Sequence, residues 1–134
     1  MSSVKFSFPI TIKEIYLDTF GHMNNATYLT LFEDARWDLI TERGFGVDKI
    51  KQTGLGPTIL EIKINFLSEI KLRENIIIET QMLRYEKKIG ILSQQMLRSG
   101  EVCCTAEFVI GLFDLKQRKL VLPTEDWLYA VGMI

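Results

Sequence analysis

Apolar residues alternate with polar ones from Val4 to Lys13. Val4, Phe6, Phe8, Ile10 and Ile12 face Lys5, Ser7, Pro9, Thr11 and Lys13, the two-residue period of a half-buried strand. Pro9 has no N–H to donate, which places this strand near an edge or at a bulge. From Ala26 the period lengthens. Tyr28, Phe32, Ala35 and Leu39, with Leu29, Arg36 and Ile40 beside them, recur every three or four residues, while Thr30, Glu33, Asp34, Asp38 and Thr41 fall mostly on another face. Asn24 or Asn25 is a good N-cap and Gly44 a good stop, so the spacing predicts a helix over residues 25–43.

After a Gly-rich connection the alternation returns, with Leu60, Ile62, Ile64 and Phe66 set against Glu61, Lys63 and Asn65. Three further strands are predicted. Ile76 to Glu86 meets Ile89 to Arg98 across a short lysine turn, and Val102 to Phe113 follows the turn at Ser99 to Glu101, an antiparallel meander. The tail from Leu122 begins with a helix-like "PTEDW" and is expected to pack on the outside. A long helix with an apolar face must bury it, and the expected fold class is α+β, with one five-stranded antiparallel sheet curling around the helix. Apolar residues on both faces of the last strand, Val109 and Phe113 opposite Phe108, Ile110 and Leu112, leave surplus apolar surface and argue for a dimer.

The chain of 134 residues has the length of one ordinary domain, expected over residues 1–134. A net charge of −1 provides no field for a polyanion, so nucleic acid is not expected as a partner. No run approaches the roughly 18 apolar residues of a membrane span, and the N-terminus lacks a signal-peptide pattern. A soluble, cytoplasmic protein is expected. Cys103 and Cys104 are adjacent within an apolar run, so they cannot bridge one another in ordinary geometry and read as packed, reduced thiols. With one histidine in the chain, a Cys/His zinc site lacks material, and neither metal nor cofactor is expected.

The concentrated chemistry lies in "YLDTFGHMNNATYLTLFEDARW", residues 16–37. A helix N-terminus offers unpaired backbone N–H groups and partial positive charge to an oxygen that gains charge during a reaction. Gly21 lets backbone approach a ligand, and Asp18 stands a few residues upstream. An acid and an oxyanion site facing one point suit acyl transfer, by carboxylate attack or by general-base activation of water. Asp, Gly, His and Asn are also ordinary turn and cap residues.

The run after the first strand closely resembles the Asp-x-x-Gly-His-Val-Asn-Asn-x-x-Tyr-Leu motif of the hydroxybenzoyl-CoA thioesterase-like branch of the hotdog-fold acyl-CoA thioesterases. The resemblance implies a hotdog fold, a homodimer or homotetramer with active sites at the subunit interface, and hydrolysis of acyl thioesters of coenzyme A or of acyl carrier protein. Carried over by position, Asp18 matches the catalytic carboxylate and the backbone at Asn25 the donor that polarises the thioester carbonyl. His22, with Gly21, Asn24 and Tyr28, matches positions that shape the site. The chain departs from relatives that carry a Pro and a Gly-Asp pair between the second and third strands, reading "LSEIKLRENI" instead. Lys71, Arg73, Arg84, Lys87 and Lys88 are candidate partners for nucleotide phosphates, and Phe32, Phe66 and Met96 for the acyl group. The expected activity is acyl-CoA hydrolysis; the alternatives are an acyl-carrier-protein thioesterase and a non-catalytic acyl-thioester-binding module.

Overall fold

The structure is a computed structural model and describes residues 3–134. Its main helix, α1, runs Asn25–Glu42, and its sheet is built from β1 (Lys5–Thr11), β2 (Leu55–Phe66), β3 (Asn75–Glu86), β4 (Ile89–Arg98) and β5 (Glu101–Asp114), ordered β1-β3-β4-β5-β2. All of these pairs are antiparallel. The helix buries Tyr28, Leu31, Phe32, Ala35, Leu39 and Ile40, the stripe read from its spacing. Phe32 is fully buried and meets Phe108 of β5 edge to face at 6.0 Å. That contact pins the middle of the helix to the centre of the sheet, a geometry aromatic pairs favour.

The meander turns where its sequence predicts. Lys87, Ser99 and Gly100 adopt positive φ at the two tips, which closes tight connections between right-twisting strands. A bulge between Met96 and Leu97 in the β4–β5 register leaves Cys103 as an extra residue, so the two adjacent cysteines are both free and buried instead of alternating.

Three elements depart from the sequence reading. A short helix, α2 (Val47–Thr53), occupies the supposed Gly-rich connection, and a sixth strand, β6 (Lys119–Val121), pairs with β5. The tail does not lie outside. Its helix α3 (Glu125–Ala130), capped by the Thr124 hydroxyl, inserts Trp127 against Phe45 at 5.2 Å, with the indole N–H donating to the Tyr85 hydroxyl at 3.0 Å. Ala130, Val131 and Met133 are buried with it. One open end of the sheet needed a plug, and the chain's last residues supply it.

The edge strand β2 is the opposite case. Ile62, Ile64 and Phe66 pair with Phe108, Ala106 and Cys104 and so share the helix-facing side of the sheet. Yet Ile62 and Phe66 are 43% and 48% exposed, and neighbouring Leu60 is 47% exposed. The core face therefore runs past the helix to an uncovered edge.

Phe32→Ala removes the ring at the centre of the helix–sheet contact. The expected cost is about 3–5 kcal/mol, read as a lower urea midpoint; a loss under about 1 kcal/mol would show that the helix is held elsewhere.

Candidate active site

Between β1 and α1 the chain forms a 3-10 turn at Glu14–Tyr16 and then a loop closed on itself. The Asp18 N–H donates to the His22 carbonyl at 2.8 Å, and the Gly21 N–H to the Asp18 carbonyl at 3.2 Å. The Asp18 side chain completes the closure: Oδ1 accepts from the N–H of Phe20 at 2.8 Å and of His22 at 3.3 Å. Aspartate is suited to such a turn because its short carboxylate reaches backbone two residues on. Both bonds end on Oδ1, so neither occupies Oδ2.

Gly21 has φ +81° with open space where a Cβ would stand. Its conformation is what the turn requires, and the open space leaves the backbone accessible. The loop is then tied to the body. Met23 donates to the Ile70 carbonyl at 3.1 Å and Asn24 to the Tyr16 carbonyl at 2.8 Å, while Leu17 bridges Met23 and His22 bridges Lys71 as isolated β-pairs.

Asn24, not Asn25, is the N-cap of α1. Its Oδ1 accepts from the Ala26 N–H at 2.9 Å, and its carbonyl takes the Thr27 N–H at 2.9 Å. The Asn25 N–H, at the first helical position, has no carbonyl a turn earlier to receive it. It stands at the positive end of the helix dipole. Asp18 and Asn25 thus belong to one braced unit, the carboxylate held by a locked loop and the donor by a capped helix.

The remaining candidates take other parts. His22 directs Nε2 to the Glu69 carboxylate at 3.3 Å, and its contact with Asp18 runs through the backbone. Tyr28 is a wall. It is buried against the edge of Phe66 with centroids 4.9 Å apart, and burial, reinforced by the Cys104 and Cys103 thiols, pushes its hydroxyl up to about 12. It stays neutral at physiological pH. Of the suggested acyl-contacting residues, Phe66 is exposed beside Tyr28, whereas Phe32 and Met96 are fully buried core.

The basic candidates separate as well. Arg73 is held by Glu14 at 2.7 Å. Lys71 stays exposed next to His22. Arg84, Lys87 and Lys88 lie at the β3–β4 turn, about 30 Å along β3 from its Asn75 end near the loop. Two partners could not be read from the motif alone. Glu69, which receives His22, and Ile70, which anchors Met23, come from the segment before β3, brought in by the fold. Among the described residues no group of three or more His, Cys, Asp or Glu is placed to hold a metal, and no helix is long and apolar enough to cross a membrane.

The sequence and the fold have named counterparts. Residues 13–131 match the model of the thioesterase-like superfamily. The long-chain acyl-CoA thioesterase FadM of Escherichia coli is 30% identical over 112 residues, covering 82% of this chain and 84% of that protein. The L-carnitine dehydrogenase/betainyl-CoA thioesterase of Agrobacterium fabrum is 27% identical over 124 residues, covering 88% of this chain but 25% of that longer protein. A Staphylococcus aureus protein solved in complex with CoA superposes with a TM-score of 0.89 at 19% identity, covering 98% of this chain and 84% of its own; at that identity the likeness is one of fold. The helix-wrapping sheet is the hotdog fold, and the chain belongs to the thioesterase-like superfamily.

Proposed function

We propose that the protein hydrolyses acyl-CoA thioesters, with the Asp18 carboxylate and the Asn25 N–H acting on the same carbonyl. The observation that carries this reading is the braced unit of closed loop and capped helix start, which presents an acid and an unpaired donor from adjoining backbone. The thioester oxygen gains negative charge as a nucleophile adds, and an N–H at the helix dipole's positive end is pre-oriented to receive it. Asp18 contributes in one of two ways. As a general base it takes a proton from water, whose oxygen adds to the carbonyl carbon; the C–S bond then breaks and the sulfur leaves with a proton. As a nucleophile its own oxygen adds, the thiolate departs, and water cleaves the resulting anhydride. The names of the relatives support acyl-CoA as the substrate class.

The protein functions as a homodimer, or a dimer of such dimers, joined through β2. A twelve-residue edge strand with apolar core-face residues uncovered is a surface soluble proteins normally protect. Antiparallel pairing of two β2 strands about a two-fold axis extends one sheet into the other and covers Ile62 and Phe66. Light scattering is expected to give twice or four times the chain mass, and Ile62→Lys to shift it toward monomer. A monomeric parent protein with full activity contradicts this assembly.

Asp18→Asn separates chemistry from loop closure, because the amide oxygen still accepts from Phe20 and His22 while charge and basicity are gone. Turnover is expected to fall at least about a hundredfold with the melting temperature nearly unchanged. Near-normal hydrolysis by the folded variant contradicts the catalytic role. His22→Gln is expected to keep measurable turnover, since the imidazole faces Glu69 and not the acid; a loss equal to that of Asp18→Asn would make His22 a proton carrier.

A further inference from the structure

Residues 67–74 join β2 to β3 with no helix or strand of their own, yet they carry Glu69 and Ile70, on which the Asp18 loop leans. Arg98, at the end of β4, holds this segment in place. Its Nη1 donates to the Glu69 carbonyl at 2.7 Å and to Glu74 Oε1 and Oε2 at 2.9 and 3.2 Å. Its Nη2 donates to Glu101 Oε1 at 2.6 Å, and the Ser68 hydroxyl donates to Glu101 Oε2 at 3.0 Å. The tip of the β4–β5 hairpin thus grips the segment at Ser68, at Glu69 and, through Glu74, beyond Ile70. With side chains 24% and 27% exposed, Arg98 and Glu74 are screened less by water than an open surface pair. Both terminal nitrogens of Arg98 are spent on the chain itself.

The grip continues into the loop through two flat peptide units. Glu74 Oε1 also accepts the Lys71 N–H at 2.6 Å. That N–H belongs to the same peptide as the Ile70 carbonyl, and in a planar trans peptide the two groups point opposite ways. The Ile70 carbonyl accepts the Met23 N–H at 3.1 Å. The Met23 N–H in turn shares its peptide with the His22 carbonyl, which accepts the Asp18 N–H at 2.8 Å. Arg98, Glu74, the 70–71 peptide, the 22–23 peptide and Asp18 therefore form one hydrogen-bonded line, in which tilting either plane shifts its neighbour. The His22 N–H, donating to Asp18 Oδ1, brings that line to the carboxylate.

We infer that Arg98 is a positioning residue, which fixes the Asp18 carboxylate from the hairpin tip by orienting the peptides that follow Ile70 and His22. The inference rests on the thioesterase reading and adds to it a residue that acts through others. A planar guanidinium suits the task, because its fork serves Glu101 on one side and Glu69 with Glu74 on the other at fixed angles. A lysine at this position offers one point of charge for both sides. A brace that only stabilised the fold would change the melting temperature and leave the kcat of the folded protein intact.

Arg98→Met is expected to lower kcat for an acyl-CoA by about tenfold or more while KM changes less than about threefold, since a displaced acid costs chiefly the chemical step. Arg98→Lys is expected to fall between that variant and the parent, and it carries the test if the Met variant folds poorly. In the Asp18→Asn background the Arg98→Met change should cost less than about threefold, because the group it positions is already gone. A parental kcat in every variant that folds, or equal losses in the two backgrounds, overturns the inference. A second readout needs no turnover. His22 is the single histidine of the chain, so its ring signals in an NMR spectrum are unambiguous, and in Arg98→Met they should move while the Met23 amide exchanges faster with solvent. Moved signals in a protein that hydrolyses no thioester keep the role of Arg98 in placing the loop and refute the enzyme. Turnover with unmoved signals and equal losses in both backgrounds does the reverse.

Discussion

One long helix cannot stand alone in water with an apolar stripe, and the requirement to cover that stripe organises the rest of the chain. Phe32 on Phe108 fixes the helix against the sheet; the sheet curls from β1 to β2 to reach around it; and α3 closes the open end with Trp127. Since the helix is pinned at its middle, its N-terminus is held in a fixed relation to the β1 end of the sheet. There Ile70 and Tyr16 hold the incoming backbone. The positioning of Asn25 is therefore a consequence of core packing, and the rigid element beneath it supplies the precision that the proposed carbonyl contact requires.

Much of this was legible because period reports burial. The helix stripe and the three-strand meander carry uninterrupted periods of their own, and the structure places them within a residue or two of the expected bounds. What escaped the pattern was short or depended on distant residues. Helix α2 buries none of its seven residues fully, so it has no stripe to read, and β6 has three residues, too few to show alternation. The tail looked peripheral because a six-residue helix offers barely two turns, and only the fold reveals the vacancy that Trp127 fills.

The candidate site divides along the same line. The motif brought Asp18, Gly21, His22, Asn24, Asn25 and Tyr28 forward, and the structure gathers them at the loop and helix start, with Tyr28 one turn up the helix. It could not show that Asp18 Oδ1 locks its own loop, since that depends on backbone curvature, nor that His22 turns to Glu69, which arrives from another segment. The uncovered face of β2 belongs to a further class, because no element of the described residues covers it.

The central claim is that one carbonyl meets both Asp18 and the Asn25 N–H. A crystal structure of the protein with an acyl-CoA analogue whose thioester sulfur is replaced by methylene, leaving an uncleavable ketone, tests it most directly. The account predicts the ketone oxygen within hydrogen-bonding distance of the Asn25 N–H and an Asp18 carboxylate oxygen, or a water held by it, facing the carbonyl carbon. A ketone lodged away from the helix start, with Asp18 engaged only by its own loop, would contradict it.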